Sequence, residues 1–133
     1  MKLLIKSVVA LLFASATFSG CVKDTVPSNI ELASSQPALK TMEHIALTAN
    51  RCWFKSGKAS FRSYGLAPEL QSYSGRPRIL VLPHNDPTGK PLLVVEAQGS
   101  PARVSAYGPL MATSLGNTIA ENLNRWVKGD SQC

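Results

Sequence analysis

The sequence predicts an α+β fold in which a helix, an antiparallel sheet of three or four strands and a second helix form a two-layer sandwich. Two segments with apolar residues at three- and four-residue spacing flank a central stretch of short aliphatic runs bounded by turns. The first pattern is typical of amphipathic helices and the second of strands. Because one helix precedes the strands and the other follows them, both can cover the same face of the sheet.

The first helix is predicted over residues 36–51. Ser34 or Ser35 offers a capping hydroxyl, and Pro37 suits a first turn, where its missing N–H costs nothing. The apolar stripe consists of Leu39, Met42, Ile45, Ala46 and Ala49.

Four runs are strand candidates: 64–73, 78–83, 91–97 and 103–107. The second and third are rich in branched aliphatic residues and are joined by a turn with Asp86-Pro87 and Gly89, which predicts a hairpin. Pro68 places the first run at an edge of the sheet, because proline donates no ladder hydrogen bond.

The last helix carries an apolar face at steps of four and three residues. Its start is open between Pro109 and the capping-box pattern from Thr118 to Glu121, and Gly129 suits the position after its end. The face is made of Met111, Leu115, Ile119, Leu123 and Trp126.

The N-terminus has the pattern of a signal peptide. Lys2 and Lys6 precede an uncharged run of 11 residues, 8–18, which is too short to span a bilayer. The run closes with Phe18-Ser19-Gly20-Cys21, which resembles a lipobox, the recognition site of lipoprotein signal peptidase, with Phe18 where Leu is usual. The resemblance implies cleavage after residue 20 and a Cys21 that carries diacylglycerol and an amide-linked acyl chain such as palmitate.

Ordinary secretion, with cleavage after Ala14-Ser15-Ala16, is the alternative, and cysteine parity separates the two. Ordinary cleavage leaves three cysteines in an oxidising compartment, whereas lipidation uses Cys21 and leaves Cys52 and Cys133 to pair. The sequence therefore predicts a Cys52–Cys133 disulfide. The predicted organisation is a signal peptide at 1–20, an acylated cysteine and flexible tether at 21–36, and one α+β domain at 37–133.

The mature chain is moderately basic. Of the 14 Lys and Arg residues two leave with the signal, while all 8 acids remain, so the formal charge becomes +4. In the cytoplasm a basic protein suggests nucleic acid, but a signal peptide redirects the expectation to lipid headgroups and cell-wall polymers. We expect no nucleic-acid partner.

No residue pattern indicates catalysis. His44 lies in a predicted helix and His84 in a turn, without the spacing of a metal site, and no G-x-S-x-G element presents a serine. We expect a protein that is not an enzyme and binds no metal or cofactor. A periplasmic enzyme, for example a hydrolase or thiol oxidoreductase, is kept as the remote alternative.

Residues 51–78 are unusual because they combine many cations with five of the seven aromatic residues of the mature chain and a single acid, Glu69. Cations attract anionic groups, and aromatic faces pack on lipid or sugar. The competing interpretation is that the aromatic residues are core and the cations are its solvated rim. The candidate anion- or partner-binding residues are Arg51, Trp53, Lys55, Lys58, Arg62, Arg76 and Arg78.

The segments R-C-W-F-K at 51–55 and S-G-R-P-R-I-L at 74–80 are similar to those of small alphaproteobacterial lipoproteins that have no assigned activity. In bacterial lipoproteins, an Asp directly after the lipidated cysteine disfavours transfer of the protein to the outer membrane. Val22 occupies that position here, so the resemblance implies an outer-membrane anchor with the domain facing the periplasm or exposed at the surface. Helix–sheet–helix order also recurs in envelope-assembly lipoproteins and periplasmic interaction domains. We expect a non-enzymatic envelope lipoprotein with a structural or partner-binding role, which contacts a protein or the cell wall. The alternative is a module that binds an anionic lipid or glycan through residues 51–78.

Cys21→Ser tests the anchor. Because the thioether needs the sulfur, the variant should carry no acyl chains and should leave the membrane fraction or be mislocalised, as measured by fractionation and intact-mass spectrometry. Membrane association equal to that of the wild type would contradict the lipoprotein interpretation.

Overall fold

The computed structural model describes Gly20 and residues 28–133, so the predictions for the signal peptide and for Cys21 lie outside the described residues. The described chain is a two-layer α+β sandwich with one antiparallel sheet in the order β1-β5-β4-β3-β2. The strands are β1 Asn29–Ala33, β2 Tyr64–Glu69, β3 Arg78–Pro83, β4 Leu93–Gln98 and β5 Arg103–Tyr107. The helices are α1 Ala38–Ala49 and α2 Leu115–Trp126.

The α+β class is confirmed, but the expectation of three or four strands is wrong because β1 is a fifth strand. It lies within the range predicted as tether, and it pairs antiparallel with β5. Ile30 and Leu32 alternate with polar neighbours and pack against the core. Five residues with only two large apolar side chains are too weak a pattern to predict a strand, and pairing with a distant strand supplies the missing stabilisation.

The predicted central hairpin is present as β3 and β4, with Ile79 opposite Val95 and Val81 opposite Leu93. These four side chains are fully buried beneath the helices. The strand predicted over 103–107 has those bounds as β5, whereas β2 is shorter than the predicted 64–73. β2 is an edge strand, as Pro68 indicated.

Both helices begin differently from the prediction. Pro37 is the N-cap of α1, and no side chain caps that end. Ser34 is buried instead, and its Oγ accepts from Thr41 Oγ1 at 2.9 Å. Before α2, Pro109 opens a short 3₁₀ turn, Pro109–Ala112, and the α-helix begins at Leu115, between the two predicted starts.

The core lies between the helices and one face of the sheet. Apolar side chains of both helices and the inward residues of β3, β4 and β5 form one continuous cluster. Its largest members are Trp53, Trp126 and Phe61, each at most 1% exposed. Within the described residues, no helix is both long enough and apolar enough to cross a bilayer.

The predicted Cys52–Cys133 disulfide is confirmed, with Cα atoms 5.2 Å apart. Hydrogen bonds hold the C-terminal segment that leads to it: His44 Nε2 donates to the Asp130 carbonyl at 2.9 Å, and Trp126 Nε1 donates to the Gln132 carbonyl at 3.0 Å. The backbone N–H of Gln132, with Arg125 beside it, holds the pKa of the Asp130 carboxyl below its ordinary value. The end of the chain is thus fastened to both helices.

Removing the bridge should lower stability. For two cysteines 81 residues apart, the chain-entropy account gives about 4–5 kcal/mol as an upper value. Cys52→Ala combined with Cys133→Ala should therefore shift the urea midpoint downwards, and reducing the wild type with dithiothreitol should reproduce the shift. Unchanged midpoints in both experiments would show that the bridge does not stabilise the fold.

Candidate functional site

The winding of the chain changes from α-helical to π-helical after Ala49, the last residue of α1. The chain continues as a π-helical segment, Asn50–Lys55, and such wide turns occur frequently at functional sites. Within it, Cys52 and Trp53 are buried, whereas Arg51 and Lys55 are exposed. The segment therefore fixes two side chains in the core while presenting cations to solvent on either side of them.

Trp53 is the centre of an aromatic cluster. Its ring stacks on Phe61 at 5.0 Å between centroids and lies 5.1 Å from Trp126, and Phe54 meets Phe61 edge-on at 5.9 Å. Its indole N–H donates to Asn122 Oδ1 at 2.9 Å. Such ring pairs contribute about 0.5–1.5 kcal/mol each beyond their buried area. The cluster holds the π-helical segment and the 3₁₀ turn Ala59–Phe61 in one position.

An open cleft of about 340 Å³ lies over this cluster, and we call it the basic cleft. Lys55, Lys58, Arg62 and His84 line it together with the rings of Phe54, Tyr64, Trp53 and Phe61. None of the described residues that line it is acidic. The three long cations are exposed and have no ion-pair partner among residues 28–133. The cleft can therefore attract an anionic group and offer it several donors.

His84 joins the cleft through strand pairing. It follows β3, and its N–H donates to the carbonyl of Ser63 at 2.8 Å, which brings it beside the start of β2. The sequence pattern predicts only that His84 lies in a turn. Only the register of β2 against β3 could have shown that it reaches the stretch at 51–62.

Arg76 and Arg78 belong to a different surface. Arg78 alternates with the buried Ile79, so it faces away from the helices. There its Nε contacts Glu69 Oε2 at 2.5 Å, and Arg76 Nη1 lies 3.4 Å from Glu96 Oε1. These surface ion pairs are worth roughly 0–1 kcal/mol each, but they neutralise both arginines. The candidate binding residues therefore lie on two surfaces, and Arg76 and Arg78 are not part of the basic cleft.

Arg51 and Trp53 have structural contacts. Arg51 donates a hydrogen bond to the carbonyl of Ser131 in the fastened C-terminal segment. Trp53 is 1% exposed and forms the floor of the cleft, so the interpretation of the aromatic residues as core holds for Trp53 and Phe61. Lys55, Lys58 and Arg62 are the members of the candidate set that the fold brings together.

A second depression adjoins the basic cleft, and we call it the apolar groove. It has a volume of about 490 Å³ and runs between α1 and β2. Its walls are Ala46 and Leu47 on the helix and Leu66, Pro68 and Leu70 on the strand side, with Glu43 and Asn50 at its ends. No sequence pattern predicts this groove, because Leu47 lies off the predicted apolar stripe and is 73% exposed.

Among the described residues, no three His, Cys, Asp or Glu side chains are grouped to hold a metal ion. Comparison of the chain with protein-family models, with curated proteins and with solved structures finds no match.

Asn122→Ala tests whether the aromatic cluster is held by its hydrogen bond. The substitution leaves the buried indole N–H of Trp53 without a partner, which should cost about 1–3 kcal/mol in urea unfolding. Asn124→Ala, at an exposed position of the same helix, is the matched control and should change the midpoint little. Equal effects of the two substitutions would contradict a special role for the Trp53–Asn122 contact.

Proposed function

We propose that this protein is a non-enzymatic, lipid-anchored lipoprotein of the cell envelope whose domain binds an anionic group, from a lipid or a glycan, in the basic cleft. The observation that carries the proposal is the convergence of Lys55, Lys58, Arg62 and His84 on one open cleft. These residues come from two separate parts of the chain, 55–62 and the turn after β3, and no acid of the described chain lines the cleft with them.

The chemistry of the cleft favours anion binding. Exposed cations gathered around one concave surface raise the local potential and attract anions. Lysine and arginine both donate hydrogen bonds to phosphate, carboxylate or sulfate. The half-buried rings of Phe54 and Tyr64 add apolar faces that can pack on an acyl chain or a sugar ring.

The expected anchor supports a position of the cleft near the membrane. Seven residues separate Cys21 from Asn29, the first residue of β1, and this stretch spans at most about 25 Å when fully extended. The strand register puts the start of β1 at the same end of the sheet as Tyr64 and His84. An anchor at Cys21 would therefore let the end of the sheet that carries the basic cleft reach the lipid headgroups.

A protein partner in the envelope is the second candidate, and the apolar groove beside the edge of the sheet favours it. Among the described strands β2 pairs only with β3, so one side of its backbone is open, although Pro68 has no N–H to offer there. The apolar groove lies beside the same edge. A partner with an extended apolar segment could dock there.

Charge-neutralising substitutions test the proposal. The triple variant Lys55→Gln, Lys58→Gln, Arg62→Gln should lose binding of glycerol phosphate or of a sulfated oligosaccharide, measured by thermophoresis of the full-length chain in a neutral detergent. For the wild type, raising NaCl from about 0.05 M to 0.5 M should weaken binding steeply, since the Debye length falls from about 14 Å to about 4 Å.

The matched control is Lys40→Gln, Arg103→Gln, Lys128→Gln, which removes three exposed cations outside the cleft. It should retain the wild-type affinity. Equal losses in both triple variants would assign binding to net charge rather than to the cleft. No salt-sensitive binding of either probe by the wild type would contradict the proposed function.

A further inference from the structure

We infer that the ligand is an anionic lipid, with its headgroup in the basic cleft and an acyl chain in the apolar groove. This inference rests on the proposed function and specifies its ligand. It follows from the way in which the two depressions join, from the distribution of charge along them and from the backbone of β2.

The cleft and the groove adjoin each other. Asn50 and Leu66 line both depressions, so the cleft and the groove meet at these two residues. The helix residues of the groove run from Glu43 to Asn50, a rise of about 10 Å. The combined site therefore has a charged compartment and an apolar channel leading away from it, which is the shape of an amphiphile.

Charge orients the ligand within this site. The cations lie at the end where α1 passes into the π-helical segment, and Glu43 is the charged residue at the other end of the groove. An anionic headgroup is attracted at the first end and repelled at the second. The uncharged part of the ligand consequently occupies the channel between them.

The apolar groove exposes a contiguous apolar surface to water. Leu47 is 73% exposed, and it faces Leu66, Pro68 and Leu70 across the groove rather than standing alone. A contiguous apolar surface bounded by polar residues is typical of an interaction site. Burial of an acyl chain would remove both apolar surfaces from water.

The backbone of β2 favours an acyl chain over a peptide strand. Ser63 accepts a hydrogen bond from His84, so alternate residues such as Gly65 and Ala67 direct their backbone groups towards β3. Pro68 is then among the residues that direct theirs towards the open edge, where it offers no N–H. A peptide added at this edge would lack that donor, whereas an acyl chain needs none.

Native mass spectrometry of the full-length chain tests the inference. Three probes are titrated in a neutral detergent: lysophosphatidylglycerol, which has head and chain; glycerol phosphate, which has the charged head alone; and lysophosphatidylcholine, which has a chain without net charge. Lysophosphatidylglycerol should bind at least about tenfold more tightly than either of the others, a difference of 1.4 kcal/mol or more.

Leu47→Glu should weaken lysophosphatidylglycerol at least about tenfold, the same 1.4 kcal/mol, and leave glycerol phosphate binding unchanged. Leu39→Glu is the matched control, because Leu39 is an exposed apolar residue of the same helix outside the groove. It should bind all three probes like the wild type, and folding of each variant is checked by its urea midpoint.

The outcomes separate the two proposals. Glycerol phosphate and lysophosphatidylglycerol bound equally tightly, with Leu47→Glu like the wild type, would overturn the acyl-chain inference and leave anion binding in place. Failure of both anionic probes would overturn both proposals. Binding of a partner protein by the wild type but not by the Leu47→Glu variant, with no lipid bound to either, would overturn the inference in favour of a peptide partner.

Discussion

The burial of Trp53 is the constraint on which the candidate site depends. Its indole lies between Phe61, Trp126 and the side chain of Asn122, so it fastens the π-helical segment to α2 and to the 3₁₀ turn that follows. The disulfide from the neighbouring Cys52 ties the same segment to the chain terminus. Two cations of the basic cleft, Lys55 and Lys58, therefore project from a backbone that is held on several sides.

Much of the fold follows from local pattern in the sequence. Branched aliphatic runs around a strong turn suffice to predict β3 and β4, and parity of the cysteines suffices to predict the disulfide. β1 could not be predicted in the same way, because its five residues form a strand only against β5, which lies about 70 residues further along the chain. The π-helical segment after Ala49 likewise places Trp53 in the core, and the helical pattern of the sequence does not predict its winding.

The sequence predicts part of the candidate site. Composition identified residues 51–78 as basic and aromatic, but strand register decides which cations share a surface. Lys55, Lys58 and Arg62 come before or near the start of β2 and meet His84, whereas Arg78 sits within β3 on the opposite face and pairs with Glu69. The apolar groove was missed because it needs two elements, α1 and β2, whose approach no local pattern encodes.

Amide chemical shifts provide the most direct measurement of the central claim, that the basic cleft and the apolar groove form one site. Lysophosphatidylglycerol is added to the isotope-labelled chain in a neutral detergent, and the ¹H–¹⁵N spectrum, including the Trp53 indole N–H, is followed. Shifts along residues 43–70 and at His84, with Arg76, Arg78 and Glu96 unchanged, are the predicted result. Shifts centred on the opposite face of the sheet, or in the cleft without the groove, would contradict the account.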